Sequence, residues 1–205
     1  MSIALEDGRG GPKDLPRAQA LAESQCTADF APGCTRLGVL DKTRSRELFQ
    51  RACDMGDQVG CLQLGWWYEH LDGAARDYQR AASLYRGACE HGQPVGCTNL
   101  GFLVAEGLLD GKKDRARAMQ LFRRACEAGA ASGCNNLAVA IVDAEPARAL
   151  ALFERACRDD YGTACVNLAR VIVQSDPARA RALLEVECRE ETEHACEDLR
   201  DYFGR

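Results

Sequence analysis

The sequence lacks the features typical of membrane, nucleic-acid-binding and zinc proteins. No run of 18 apolar residues is present to span a bilayer. The formal charge is −5 and the pI is near 5.3, so no basic surface for nucleic acid is expected. Only three histidines occur, and there is no C-x₂-C pair. We therefore expect no nucleic acid, no membrane span, no metal and no other cofactor.

Catalytic motifs are missing as well. A serine β-lactamase needs a nucleophile with a nearby base, commonly seen as S-x-x-K with a K-T-G. None of the six serines has lysine three residues later, and the only Lys-Thr, Lys42 and Thr43, continues into Arg44. We predict no catalytic residue, and an enzyme is less expected than a binding protein.

Cysteine, in contrast, is abundant and regularly spaced. Twelve cysteines form six consecutive pairs, and the two members of every pair are eight residues apart. The pairs are Cys26 and Cys34, Cys53 and Cys61, Cys89 and Cys97, Cys126 and Cys134, Cys157 and Cys165, and Cys188 and Cys196.

The sequence around the cysteines also recurs. The first cysteine ends strings such as LFQRAC and LFRRAC, and the second opens strings such as GCTNLG and GCNNLA. Apolar residues at i, i+3 and i+4 predict a helix on each side of the pair, as with Leu121, Phe122 and Ala125 before Cys126. Six helical hairpins are expected, with degenerate copies at both ends acting as caps.

The connections support this division. Glycine in the turns EHGQPVG and EAGAASG suits a helix C-cap of positive φ, and proline in 143–146 and 175–177 is expected near a helix start. We predict one repeat domain over residues 14–205, preceded by a loose segment, residues 1–13.

The regular pairing favours six disulfides, because the spacing brings the end of one helix to the start of the next. Zinc ligation and reduced, buried thiols are the alternatives that remain open. Disulfides imply a periplasmic or secreted protein. An export signal is apparently absent from the opening MSIALEDGRGG, and a cytoplasmic protein with reduced cysteines is the alternative.

The strings A-x-x-L-[YF]-x-x-A-C and x-x-G-x-x-x-G-C-x-N-L-G resemble the SEL-like repeat family, and the eight-residue cysteine spacing resembles its branch of Helicobacter cysteine-rich proteins. The resemblance covers roughly residues 14–203. It implies an all-α fold, a right-handed α/α superhelical solenoid of about six hairpins. It also implies a protein-binding scaffold or adaptor, or else an immunity protein against a secreted toxin, or penicillin binding with weak β-lactamase activity.

Candidate binding residues follow from aligning the copies on their second cysteine. We call the positions two and five residues after it the +2 and +5 positions, and together the ladder, because they lie one helical turn apart and off the predicted packing face. We expect the ladder to contact a protein or peptide partner. The candidates are Gln63, Asn99, Asn136 and Asn167 at +2, and Trp66 and Phe102 at +5.

Structural roles for the same residues are the alternative. Trp66 and Phe102 would then pack against the next repeat, and the asparagines would bind the inter-repeat backbone. The arginines of residues 115–124 are expected on solvated faces, and Glu154 is expected to pair with Arg158 at i, i+4.

Overall fold

The computed structural model describes residues 14–71 and 76–204, so the predicted loose segment 1–13 lies outside it. Within the described residues the chain forms twelve α-helices and no strand, which confirms the all-α hairpin repeat. The chain divides into two compact units, one ending at Gly96 and the other beginning at Cys97. The single repeat domain over residues 14–205 stays a prediction.

The first unit is a run of helices in which each packs against the next in sequence, and α2 also packs against α4. These helices are α1 (Leu15–Thr27), α2 (Ala31–Leu40), α3 (Ser45–Asp54), α4 (Gln58–Glu69) and α5 (Tyr78–Glu90).

The second unit repeats this arrangement. From α7 onward each helix packs against the next, and α8 also packs against α10. The helices that follow α5 are α6 (Pro94–Ala105), α7 (Arg115–Glu127), α8 (Ala131–Ile141), α9 (Pro146–Arg158), α10 (Gly162–Ile172), α11 (Pro177–Arg189) and α12 (Ala195–Phe203).

Helix starts follow the local sequence. Aspartate precedes the first helix of four hairpins, and its carboxylate accepts a hydrogen bond from the backbone N–H three residues later, as Asp114 does from Arg117 at 2.9 Å. Pro146 and Pro177 are the first residues of α9 and α11, as predicted. Aspartate, proline or both therefore stand at the beginning of five of the six hairpins, and α3, which follows Arg44, has neither.

The turn inside each hairpin has a residue of positive φ three positions after the first cysteine, and the last turn has a second one at His194. Glycine occupies the shared position at Gly56, Gly92 and Gly129, which confirms the predicted C-caps for the two turns that were singled out. In the other three hairpins a residue with a side chain lies at this position, and its positive φ was not predicted from the sequence. These residues are Asp29, Asp160 and Glu191, each with φ of 57°.

Disulfides link the two helices of the hairpins. All twelve cysteines are disulfide-bonded, which confirms the six predicted disulfides. In the five pairs with described geometry the Cα atoms are 4.4 to 4.7 Å apart. Most of these sulfurs are buried, but Cys196 is exposed.

Small residues allow the helices to pack closely. In three second helices a glycine four residues after the cysteine lies against an aromatic ring of the next first helix: Gly38 against Phe49, Gly65 against Tyr85, and Gly101 against Phe122. Ala138 and Ala169 take the same position in later repeats and are fully buried. The absence of a side chain at Gly101 thus lets the Phe122 ring lie against α6.

Candidate functional site

The second helices present the ladder in the same way in all six repeats. Every +2 side chain is half-buried and every +5 side chain is exposed. The leucine at +3 is buried in five of the six repeats, as Leu37, Leu64, Leu100, Leu137 and Leu168. Because +3 faces the core, the residues on either side of it lie at the edge and on the outer face of the helix. The +5 positions are therefore off the packing face, as predicted, whereas the +2 positions lie at its edge.

In the first unit, the ladder lines a shallow cavity of about 360 Å³ between α2 and α4. Its walls include Arg36, Val39 and Gln63. The Thr35 hydroxyl donates a hydrogen bond of 2.5 Å to the Asp57 carboxylate, which also caps α4, so the two hairpins are joined at the base of this cavity.

Trp66 is 52% exposed and stacks on His70 of its own helix, with ring centroids 4.3 Å apart and an angle of 19° between the planes. The Nδ1 atom of His70 is 2.9 Å from the Trp66 carbonyl oxygen, which holds the imidazole in place. One face of the indole is thus covered by histidine, and the side chain remains half exposed.

In the second unit, the ladder lines a larger cavity of about 570 Å³. Phe102, Asn136 and Val139 come from the ladder, so the structure brings two predicted candidates, Phe102 and Asn136, to one site. The remaining lining residues were not predicted as binding residues, and they are Ala105, Glu106, Lys113, Arg115, Ala118, Met119, Phe122 and Ala140.

Several of these residues come from the first helix, α7. Phe122 belonged to the predicted packing face, and Met119 is three residues before it, on the same side of the helix. The helical period was the signal that could have identified Met119. The candidate binding residues were taken from the second helices alone, so the lining residues of α7 were not among them.

Asn136 and Asn167 bind side chains and not the backbone that the structural alternative proposed. The Asn167 amide nitrogen donates to Asn135 Oδ1 at 2.9 Å, and Asn135 Nδ2 donates to Asn136 Oδ1 at 3.2 Å. Asn99 forms no side-chain hydrogen bond within the described part of the chain, and neither does Gln63 in the first unit.

The ladder ends in an ion pair. The Arg170 guanidinium donates from Nε to Asp198 Oδ2 at 2.6 Å and from Nη1 to Asn167 Oδ1 at 3.4 Å. Arg170 and Asp198 occupy +5 and +2 of the last two repeats, so their charges neutralise each other. Asn167 is consequently part of an internal network.

The arginines of residues 115–124 are exposed, as expected, but the predicted ion pair of Glu154 needs correction. Glu154 pairs with Arg179 of the next hairpin at 2.9 Å and not with Arg158, because the neighbouring helix brings a guanidinium to it. Arg115 is exposed, but its Nη2 also donates to the Ala140 carbonyl oxygen.

Among residues 14–71 and 76–204, no group of three or more His, Cys, Asp and Glu side chains is arranged to hold a metal ion. None of the helices in that part of the chain is long and apolar enough to cross a membrane.

Solved structures share this fold. A Sel1 repeat protein from Oxalobacter formigenes has a TM-score of 0.78 at 22% identity, over 92% of this chain and 85% of that one. The c5321 protective antigen of uropathogenic Escherichia coli, with an SLR fold, has a TM-score of 0.72 at 20% identity, over 98% of this chain and 47% of that one. The immunity protein Pa5087 from Pseudomonas aeruginosa has a TM-score of 0.59 at 18% identity, over 74% and 60%.

No curated protein sequence matches the chain. The family model for the Sel1 repeat does match it, at residues 1–24, 33–57, 58–93, 94–129 and 132–161, which together exceed half of its length. With the hairpins, the disulfides and the recurring motif, this match shows that the chain belongs to the Sel1 repeat family.

Proposed function

We propose that the protein is an extracytoplasmic binding scaffold that presents its ladder to a protein or peptide partner. The observation that supports this is an exposed apolar residue at +5 in four consecutive repeats. These residues are Val39 (41% exposed), Trp66 (52%), Phe102 (46%) and Val139 (51%). Apolar side chains repeated at one exposed register are typical of interaction surfaces.

The neighbouring +2 residues suit a peptide partner. Gln63 and Asn99 have side-chain amides with no hydrogen-bond partner in the described residues. An amide donates and accepts at the same time, so it can bind both the N–H and the C=O of a peptide backbone. Apolar contacts at +5 would then supply most of the affinity, and the amides at +2 would orient the partner.

A periplasmic or secreted location fits the disulfides, because such bonds persist in oxidising compartments. Mass spectrometry of protein isolated without reductant tests this. A mass twelve hydrogens below that of the thiol form supports the location, whereas twelve titratable thiols would support the cytoplasmic alternative.

Partner capture tests the surface. Oxidised protein is immobilised and exposed to periplasmic and extracellular extract of the source organism, and captured proteins are quantified by mass spectrometry. We expect Trp66→Ala and Phe102→Ala each to reduce capture of the main partner about tenfold or more, because exposed aromatic residues dominate interface energies.

Val186→Ala is the matched control. Val186 is 46% exposed, like Phe102, but it lies on α11, a first helix, and is not part of the ladder. Helical circular dichroism should be unchanged in all three variants. Full capture by both aromatic variants would show that the partner binds elsewhere.

A second candidate is an immunity protein that neutralises a secreted toxin. The similarity to the Pseudomonas aeruginosa immunity protein favours it. Under this proposal the captured partner is toxic when expressed alone, and co-expression with the wild-type chain restores growth while Phe102→Ala does not. Growth of cells that express the partner alone would contradict it.

A further inference from the structure

The cavity of the second unit has the size and lining of a ligand site. Its volume of about 570 Å³ lies within the range of roughly 300–1,000 Å³ typical of such sites. Phe102, Met119, Phe122 and Val139 provide an apolar wall. A bulky apolar side chain that enters the cavity would lose contact with water on most sides, which is favourable.

The charged residues that line this cavity, Glu106, Lys113 and Arg115, carry a net positive charge, although the chain as a whole has a formal charge of −5. Lys113 pairs with Glu106 at 2.9 Å, so these two charges cancel. Arg115 donates to the neutral carbonyl of Ala140, and no carboxylate among the described residues pairs with it. One cation at the rim is therefore uncompensated.

The amide of Asn136 is oriented as a donor by its neighbours. Asp198 holds Arg170, Arg170 donates to Asn167 Oδ1, and Asn167 donates to Asn135 Oδ1. Asn135 must then donate to Asn136 Oδ1. Only the Asn136 amide nitrogen is left, and it has no partner within the described residues.

We infer that this cavity anchors an acidic segment of a partner protein. One bulky apolar side chain of the segment enters the cavity, and an adjacent carboxylate accepts hydrogen bonds from Arg115 and Asn136. The Arg115 guanidinium and the Asn136 amide nitrogen are both hydrogen-bond donors, and neither is paired with a carboxylate of the described residues. An acidic segment is therefore complementary to them, and a basic segment would be repelled by Arg115. The inference rests on the proposed function, since it names the chemistry of the partner at part of the ladder.

Methionine methyl groups provide a direct probe. The chain has three methionines, of which Met119 lines this cavity and Met55 lies in the first unit. We would label the methyl groups of the full, oxidised protein with ¹³C and titrate it with capped tripeptides. The peptides are acetyl-Asp-Phe-Asp-amide, acetyl-Asn-Phe-Asn-amide, acetyl-Lys-Phe-Lys-amide and acetyl-Asp-Ala-Asp-amide.

The acidic phenylalanine peptide should shift the Met119 signal saturably and leave Met55 unchanged. The Asn peptide should bind about fivefold more weakly, as expected for the loss of a partly exposed charge pair, and the Lys peptide more weakly still. The alanine peptide should bind about tenfold or more weakly than the acidic phenylalanine peptide, because it lacks the apolar side chain that enters the cavity. No shift of Met119, or equal binding of the three phenylalanine peptides, would overturn the inference.

Variants separate charge from shape. Arg115→Gln should remove most of the preference for Asp over Asn while Phe still binds. Val139→Glu should abolish binding of the acidic peptide, since a carboxylate then lies at the cavity. The matched control is Val186→Glu, which places the same charge at an exposed position outside the ladder.

Asp198→Asn tests the orientation of Asn136. This substitution weakens the ion pair to Arg170, so the hydrogen bonds that run from Arg170 to Asn136 no longer fix the orientation of the Asn136 amide. The preference for the Asp peptide over the Asn peptide should then fall, although Asp198 does not line the cavity. An unchanged preference would contradict the role of this network.

These results can be told apart from the capture test. Peptide binding with normal partner capture by Phe102→Ala would support the cavity and contradict the proposed surface. Loss of partner capture by Phe102→Ala, together with no shift of the Met119 signal by any peptide, would support the proposed surface and contradict the binding of an acidic segment in the cavity.

Discussion

Gly65 and Tyr85 are in direct contact, and the absence of a side chain at Gly65 makes the contact fit. A Cβ atom built on Gly65 would lie 2.6 Å from Cε1 of the Tyr85 ring. Tyr85 is fully buried, and its hydroxyl donates a hydrogen bond of 2.7 Å to Glu69, so the ring is held from both ends.

We therefore expect Gly65→Ala to lower the free energy of unfolding by about 1–3 kcal/mol, the usual cost of overpacking a core. The control is Gly87→Ala, a helical glycine at which a Cβ would meet nothing within 4 Å. That variant should be stabilised by about 0.5–1 kcal/mol through helix propensity. Urea unfolding followed by circular dichroism measures both. Equal effects of the two substitutions would contradict this account.

The turn residue Glu191 predicts a stabilising substitution. Its φ of 57° is costly for a residue with a long side chain and free for glycine, which occupies the same position in three other hairpins. Glu191→Gly should raise the free energy of unfolding by about 0.5–1 kcal/mol. Glu190→Gly, one residue earlier at φ −84°, should not be stabilising. Thermal unfolding of both variants measures the effect, and a Tm of Glu191→Gly below that of the wild-type protein would refute the prediction.

Asp41 predicts a pH dependence. Hydrogen bonds from the Thr43 side chain and from Arg44 lower the pKa of the Asp41 carboxyl from 3.8 to about 2. Since the folded pKa is depressed, Asp41 stabilises the fold above pH 3.8, and this contribution is lost as the pH falls toward 2. The stability difference between wild type and Asp41→Asn should thus shrink over that interval. Titration of the carboxyl by NMR gives the pKa directly.

Thr43→Ala provides the matched variant for Asp41. It removes the largest cause of the shift and keeps the carboxyl, so the pKa of Asp41 should rise. An Asp41 pKa that is unchanged in Thr43→Ala would show that the hydroxyl is not the cause.

The disulfides should differ in their sensitivity to reductant. Cys196 is exposed, whereas Cys126 and Cys134 are 3% and 0% exposed. Under native conditions dithiothreitol should reduce the pair at Cys188 and Cys196 first, because the attacking thiolate needs access to the sulfur. Alkylation followed by mass spectrometry gives the order, and earlier reduction of the buried pair would contradict the prediction.

Removing a buried disulfide should be costly. Replacing both Cys126 and Cys134 by alanine is expected to lower the free energy of unfolding by about 2–3 kcal/mol on the loop-entropy model. Loss of the exposed pair at Cys188 and Cys196 opens a ring of the same length, so it is the matched comparison. Urea unfolding of the two double variants gives the loss in free energy of unfolding for each pair, and the difference between the two losses is the effect of burial.

Local features of this chain could be predicted from the sequence because they depend on short spacings. The eight-residue separation of Cys126 and Cys134 predicted their disulfide, and glycine at 129 predicted the positive φ there. The helical period placed the +5 residues Trp66 and Phe102 off the packing face, and both side chains are exposed. The turn at Glu191 was missed, since the fold imposes a conformation there that its own side chain disfavours.

The sequence by itself determined the repeat, the hairpins, the cysteine pairs and the register that leaves Trp66 and Phe102 exposed. Only the tertiary structure decided which ladder residues meet. It placed Phe102 and Asn136 at one cavity with Met119, and it joined Asn167 to Arg170 and Asp198. The physical reason is that a helical period specifies the face on which a residue lies. The partner that a side chain reaches on a neighbouring helix depends on how the helices pack.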